Sequence, residues 1–178
     1  MKKILDVGCG RSKKVPKDEE LVKGIDSVNL PGVDFVHDLE KFPWPIKKEE
    51  FDQIICNHVL EHLSNLTKTM DELSRILKKG GTISIKVPHF SFVGSYQDPT
   101  HKKFFTSGTM DYFTEDHGLN YYSKAKFKIL SKKLVFNPRH KIRSSFFDFF
   151  INLNLGIYGR YFAWILPSEQ LEIVLKKV

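Results

Sequence analysis

Short apolar runs separated by turn residues organise the first half of the chain. The segments "KILDV", "LVKGIDSV", "VDFVHDL", "FDQIICNHV" and "TISIKVP" each read as a buried strand. Between the last two, Leu66, Met70, Leu73 and Leu77 fall on one face of a predicted helix. Ser64 or Asn65 can cap its start, and Lys78-Lys79-Gly80-Gly81 is a stop signal. Strand, helix, strand is a βαβ unit, which predicts a parallel sheet with helices on its faces and ligands at the carboxyl ends of its strands. Two connections are lean. Pro16 interrupts the segment after the first strand, and "SVNLPG" is too short for a helix, so one sheet face is expected to be thinly covered.

The second half has a different texture. Residues 88–122 are rich in Phe, Tyr, His and Gly and read as a long functional loop, within which "SGTMDYFTEDHG" predicts a short helix stopping at Gly118. "KFKILSKKLVF" and the closing "EQLEIVLKKV" read as antiparallel partners. The intervening "FFDFFINLNLGIYGRYFAWIL" is apolar almost all round. Asp148 and Arg160 would each cost about 2.5 to 3.5 kcal/mol near a bilayer centre, so it is a poor membrane span. It is expected to cover the sheet, to form a homodimer surface over 146–166, or to lie at a membrane interface.

The chain has 178 residues, enough for one domain, with 1–87 as a cofactor-binding half, 88–122 as the substrate loop and 123–178 as the C-terminal strands with their apolar insertion. Its net charge of +7 is local. Of 28 basic residues, eight fall between Lys124 and Arg143 with no acid among them, which leaves 20 bases against 21 acids elsewhere. That patch, extended to residue 150, is a candidate contact for an anionic membrane or for RNA. No signal peptide is apparent, so a cytoplasmic protein is expected, peripheral at the membrane if the patch and the aromatics act together. Cys9 and Cys56 form no spaced framework and read as reduced thiols.

The candidate chemistry begins at "ILDVGCGRS". An apolar strand ends in Gly8-Cys9-Gly10, where backbone without bulky side chains can turn sharply and approach a ligand. Asp26 ends the second strand, where doubly wound folds place a carboxylate on a ribose diol, and Asp38 ends the third. A glycine loop and a ribose acid serve dinucleotides and S-adenosylmethionine alike. The absence of a third spaced glycine, the second acid at Asp38 and the short chain favour the sulfonium over NAD.

With these pieces in their order, residues 3 to about 136 resemble the class I S-adenosylmethionine-dependent methyltransferases, particularly small type 11-like members with an "hhDhGCGxG" first motif. The resemblance implies a Rossmann-like α/β fold: a mostly parallel seven-stranded sheet with an antiparallel last strand and helices on both faces. Carried over by position, it implies that Asp6, Gly8, Cys9 and Gly10 hold the methionyl end and that Asp26 holds the ribose. Asp38 with Leu39 would read adenine, and Asn57 would border the methionyl group. Ser12 departs from the family's frequent third glycine. S-adenosylhomocysteine would be the product.

The acceptor side is read from residue types. A base is optional in methyl transfer, and His89 and His101 are the candidates, with His58 and His62 near the mouth of the site. His58, Phe90, Tyr96 and Phe104 are the expected acceptor walls. Asp98 and His101 could form a carboxylate–imidazole pair or simply brace a "DPTH" turn. A set of His89, Asp98 and His101 is a weak metal signal, and no metal is expected. No Asn-Pro-Pro-aromatic motif and no Pro-Cys nucleophile occur, which disfavours adenine-N6, glutamine and cytosine-C5 acceptors. The expected acceptor is a small molecule, a glycan or a lipid-linked group. An RNA methyltransferase and a cofactor-holding module without turnover are the alternatives.

Overall fold

The computed structural model describes residues 1–138 and 141–178, and the side chains of all of these except 141–144. Seven strands form one sheet: β1 (Lys2–Val7), β2 (Glu20–Asp26), β3 (Phe35–Val36), β4 (Phe51–Asn57), β5 (Leu77–Pro88), β6 (Phe127–Val135) and β7 (Gln170–Lys177). Their spatial order is β3-β2-β1-β4-β5-β7-β6. Pairing is parallel from β3 through β5, and β7 runs antiparallel to both of its neighbours. The helices are α1 (Leu66–Ile76), the single turn α2 (Gly94–Gln97), α3 (Lys141–Leu153) and the single turn α4 (Leu155–Ile157).

Alternation along the strands divides the sheet into two unlike faces. Leu5, Val7, Ile25, Ile54, Cys56, Ile83, Ile85, Leu171, Ile173 and Leu175 line one face and are fully or almost fully buried. α1 packs there through Met70, Leu73 and Ile76, each worth about 1.5 to 3 kcal/mol of burial. The Asn65 side chain caps α1 by accepting from the Lys68 amide at 2.9 Å. α3 joins the same core through Ile151.

The other face carries no helix among the described residues. In register across it lie Gln53 and Thr82, then Ile55, Ser84, Val174 and Ser131, then Lys86, Glu172 and Lys133. Glu172 bridges Lys86 at 3.4 Å and Lys133 at 2.9 Å. Polar side chains suit a face left in water, and the alternation in "TISIKVP" already carried that signal. Near β1 the face is covered by the segment after the glycine turn, where the Asp6 carboxylate accepts from the Lys14 amide at 2.7 Å. Ile4, Val22 and Ile55 form a small apolar cluster there. This is the thinly covered face that the two lean connections implied.

Local departures from the sequence reading have local causes. The third strand is two residues long because Asp34 turns its carboxylate onto the Gly24 amide at 2.7 Å, replacing a ladder bond with a side-chain bond. The helix expected to reach Gly118 is a 3-10 turn over Thr109–Phe113, closed when the Thr114 hydroxyl donates to the Asp111 carbonyl at 2.7 Å. Cys9 lies against Gly24 on the polar face, whereas Cys56 is in the core of the other face, so the two thiols point to opposite sides of the sheet.

The apolar C-terminal insertion does not cover the bare face. It caps the exposed edge of β6: Asn152 accepts from the Leu134 amide at 2.8 Å and donates to the Leu134 carbonyl at 2.7 Å, and Asp148 accepts from the Phe136 amide at 2.6 Å. Edge strands need such cover. Fixing α3 through these polar groups leaves Phe146, Phe149, Leu153, Tyr161, Trp164 and Ile165 in water, with Phe146 65% and Trp164 70% exposed. No described helix is long and apolar enough to cross a membrane.

Burial alone would raise the Asp34 carboxyl, but the Gly24 amide and the ammonium groups of Lys13 and Lys23 outweigh it and hold the pKa at about 2. A depressed carboxylate stabilises the fold above its unfolded value of about 3.9, and that contribution is lost as pH falls toward 2. Asp34→Asn is therefore expected to cost about 2 kcal/mol at pH 7 and to flatten the acid limb of a denaturation series between pH 4 and 2. An unchanged acid limb would contradict this assignment.

Candidate active site

β1, β2 and β4 end side by side, and their following turns enclose a cavity of 340 Å³. Gly8 forms its floor. Its φ of +65° favours glycine, and a Cβ there would stand 2.5 Å from Val59 Cγ2. The glycine turn is thereby pressed directly onto the turn that follows β4. Asp26 ties the loop from the other side, accepting from the Gly10 amide at 2.8 Å and the Val28 amide at 3.0 Å. Asp38, Leu39 and Glu40 form the far wall, and Lys102 closes the mouth through a 2.9 Å ion pair with Glu40.

Of the residues expected to hold a cofactor, Gly8, Asp26, Asp38 and Leu39 line this cavity. Asp6, Cys9, Gly10 and Asn57 do not. Asp6 and Cys9 are buried beneath the loop, where burial raises both of their pKa values, and Asp6 acts by holding Lys14. Val59, His62, Leu63 and Lys102 also line the cavity. His62 was expected near the mouth of the site; the reading missed Val59, Leu63 and Lys102, which come from the turn after β4 and a loop some forty residues further on.

His58 is the residue that connects this cavity to a second one. The latter, of 270 Å³, is lined by His58, Pro88, Phe92, Pro138, Glu169 and Gln170. His58 holds a left-handed backbone with φ of +50°, an uncommon strain in a non-glycine residue at a ligand-facing turn. Its Nε2 lies 3.1 Å from Gln170 Oε1, and the Gln170 amide is oriented by donating to Glu172 at 2.7 Å. Its Nδ1 lies 3.3 Å from Glu61 Oε1. Both ring nitrogens face acceptors, and the Glu61 carboxylate, followed by Gln170, raises the imidazole pKa despite its partial burial. His58 is suited to donating hydrogen bonds more than to taking up a proton.

The other predicted acceptor residues are dispersed. His89 is 1% exposed, bonded through Nδ1 to the Ser91 hydroxyl at 2.8 Å, and burial lowers its pKa to about 4. It lines neither cavity, because the chain after "IKVP" folds inward rather than into the mouth. Phe90 packs against Trp164 with ring centres 5.3 Å apart. Tyr96 and Phe104 stack on each other at 4.6 Å on the loop surface. Among the aromatics of this loop, Phe92 is the one that lines the second cavity. His101 lies beside His62, not His89. A larger groove of 540 Å³ runs along α1 past Lys68, Glu72 and Arg75, away from the strand ends and the glycine turn.

Comparison with known proteins agrees with this arrangement. A family model described as a methyltransferase domain matches residues 1–137. The chain belongs to that family. An uncharacterized protein of Methanocaldococcus jannaschii is 34% identical over 100 residues, a stretch that spans 56% of this chain and 44% of that relative. The chain thus matches less than half the length of that curated relative. A solved S-adenosylmethionine-dependent methyltransferase from Archaeoglobus fulgidus aligns over 99% of this chain and 86% of its own, at 20% identity and a TM-score of 0.63. A Burkholderia thailandensis 1,6-didemethyltoxoflavin-N1-methyltransferase, solved with its substrate and S-adenosylhomocysteine, aligns over 99% and 71% at 15% identity and a TM-score of 0.58. The fold is the Rossmann-like one of class I methyltransferases.

Gly8→Ala should force Val59 and the glycine turn apart. The expected result is a protein that remains folded by circular dichroism, melts several degrees lower, and loses at least tenfold in affinity for any ligand of the 340 Å³ cavity. Wild-type stability and affinity in this variant would remove the glycine contact from the account.

Proposed function

We propose that the chain is an S-adenosylmethionine-dependent methyltransferase acting on a small-molecule, glycan or lipid-linked acceptor, with the lipid-linked class preferred. The observation that carries this reading is the pair of cavities meeting at His58, one bounded by Gly8, Asp26, Asp38 and Leu39 and the other by Phe92 and Gln170.

The residues fit the cofactor. Bare backbone at Gly8 admits a close ligand, and Asp26 retains lone pairs for a ribose diol beyond the two amides it already accepts. Asp38 stands at the wall with its Oδ2 directed toward solvent and Lys41, and Leu39 offers an apolar surface for a purine. The bound cofactor supplies an electrophilic methyl group. The chain supplies position: it holds an acceptor in the neighbouring cavity and excludes water, with the His58 ring fixed between Glu61 and Gln170 where the two cavities meet. Holding two reactants in line is worth several kcal/mol of barrier without any base. On this reading His101, and with it His89, serves the architecture rather than proton removal.

Preference for a lipid-linked acceptor rests on the C-terminal insertion. It encloses an apolar cavity of 380 Å³ between Phe150, Leu153, Ile157, Tyr158, Phe162 and Leu166, and it exposes aromatics around it. Leu166 on this cavity and Glu169 on the acceptor cavity are three residues apart in the chain. Contact with an anionic surface through 124–150, or a homodimer through 146–166, would use the same aromatics. The RNA reading draws less support. Lys132 is paired with Asp111 and Lys133 with Glu172, and Lys126 bonds the Asn120 and Ser123 carbonyls.

S-adenosylhomocysteine at a hundredfold its Kd should add about 2.7 kcal/mol, a rise in Tm of roughly 5 to 10 °C, and NAD should give none. Protection by NAD alone would overturn the cofactor. Tritiated methyl transfer to separated lipid, glycan, metabolite and RNA fractions then tests the acceptor. Label in the lipid fraction is expected, and label confined to RNA would overturn the acceptor class.

A further inference from the structure

The most unusual electrostatic feature lies beneath the cavity. Glu61 is 1% exposed, and neither of its carboxylate oxygens has a hydrogen-bond partner among the described residues. His58 Nδ1 approaches Oε1 to 3.3 Å, outside hydrogen-bond geometry. A buried carboxylate left this way costs several kcal/mol unless something compensates it.

Two histidines converge on it. Glu61 and His62 belong to the 3-10 turn Leu60–His62 after β4. The loop after β5 is fastened onto that turn by the Lys102 and Lys103 amides, which donate to the Glu61 carbonyl at 2.7 and 3.0 Å. This brings the His101 ring to within 4.8 Å of the His62 ring, centre to centre. Each of Glu61, His62 and His101 can place a ligand atom within 4.8 Å of the other two. Bonds of about 2.1 Å to one tetrahedral ion set the ligand atoms about 3.4 Å apart, so separations of up to 4.8 Å must close by as much as about 1.4 Å when the ion binds.

Hydrogen bonds fix the tautomer of both rings. His101 Nδ1 lies 2.9 Å from the Ser95 carbonyl, which can only accept, so Nδ1 carries the proton and Nε2 keeps its lone pair. His62 Nδ1 lies 2.9 Å from Thr100 Oγ1, whose own proton goes to Asp98 Oδ1 at 2.6 Å. Thr100 therefore accepts from His62, and His62 Nε2 is also left with a lone pair. A carbonyl and a hydroxyl held by a carboxylate are the outer partners that orient histidine ligands of metal ions. Asp98 Oδ2, at 3.9 Å from His101 Nε2, adds a further negative charge.

We propose that Glu61, His62 and His101 form a binding site for a divalent transition-metal ion beside the 340 Å³ cavity. Two imidazoles and one carboxylate make a three-ligand set that leaves coordination positions open, and this donor set suits zinc, manganese, iron or cobalt rather than calcium. His62 lines the cavity, so the open positions face it and can take an oxygen of a bound acceptor or a water molecule. That last role rests on the methyl-transfer reading; binding of the ion does not. The sequence reading paired His101 with His89 and Asp98 and expected no metal. The ring that meets His101 is His62, and the carboxylate is Glu61.

The test uses the untagged full chain, stripped with chelator and titrated separately with Zn²⁺, Mn²⁺, Co²⁺ and Ca²⁺ by calorimetry, with metal content measured after dialysis. One equivalent of a transition metal should bind, Ca²⁺ should bind at least tenfold more weakly, and the cobalt form should show visible bands without thiolate charge transfer. Glu61→Gln and His101→Ala should each lose at least tenfold in affinity, while His117→Ala, altering a half-buried histidine that lines neither cavity, should not. Glu61→Gln should lose more of its melting temperature, relative to the wild type, when metal is present than when it is absent, because only the loaded wild type gains a bond to the Glu61 carboxylate. S-adenosylhomocysteine binding, followed in parallel, separates the two proposals. A chain that binds S-adenosylhomocysteine but takes up no transition metal, or whose uptake survives both ligand substitutions, overturns the metal site alone. A chain that takes up the metal and ignores S-adenosylhomocysteine overturns the cofactor reading alone.

Discussion

The contact between the bare backbone of Gly8 and the side chain of Val59 is what the rest of the site depends on. Gly8 ends β1 in a left-handed turn with Val59 Cγ2 where a Cβ would have to be, so the loop after β1 and the turn after β4 cannot move independently. That one turn carries His58, Glu61 and His62 in five residues. Through Gly8 it meets the loop held by Asp26, and through the Glu61 carbonyl it meets the loop that carries His101 and Lys102. The 340 Å³ cavity, the second cavity and the buried carboxylate are consequently three sides of the same short segment, positioned by strands whose parallel order brings their ends together.

The sheet behind this site is asymmetric. Its core face is built from fully buried aliphatic rows and the helices α1 and α3, while its other face holds Thr82, Ser84, Lys86 and Glu172 in a half-exposed polar ladder. A parallel sheet normally buries both faces. Here the short links after β1 and β2 remove the helices that would do so, and the side chains have the polarity that water requires. The chain places its remaining apolar surface elsewhere, on an insertion fastened to the edge of β6 by Asn152 and Asp148, which leaves a cluster of aromatics facing outward.

What could be read from the sequence was what local chemistry dictates. A glycine needed at φ above zero, a carboxylate at a strand end, and a helix with one apolar stripe are decided within a few residues, and α1 forms where expected and Gly8, Asp26, Asp38 and Leu39 come together on one cavity. His89 was misread because its position after a strand said nothing of the inward fold that buries it against Ser91. Glu61, His62 and His101 are assembled by two backbone amides bonding across forty residues, and no spacing rule expresses that. The bare face was legible in part: the two short connections announced it, and the alternation in β5 repeated the message.

The most direct test of the central claim is to map S-adenosylhomocysteine onto the backbone by amide chemical shifts. The account predicts shifts concentrated at Gly8, Gly10, Asp26, Leu39 and Val59, with none at Ser84 or Val174 on the polar face. Shifts that leave the glycine turn untouched and gather instead at Lys68, Glu72 and Arg75 along α1 would contradict it.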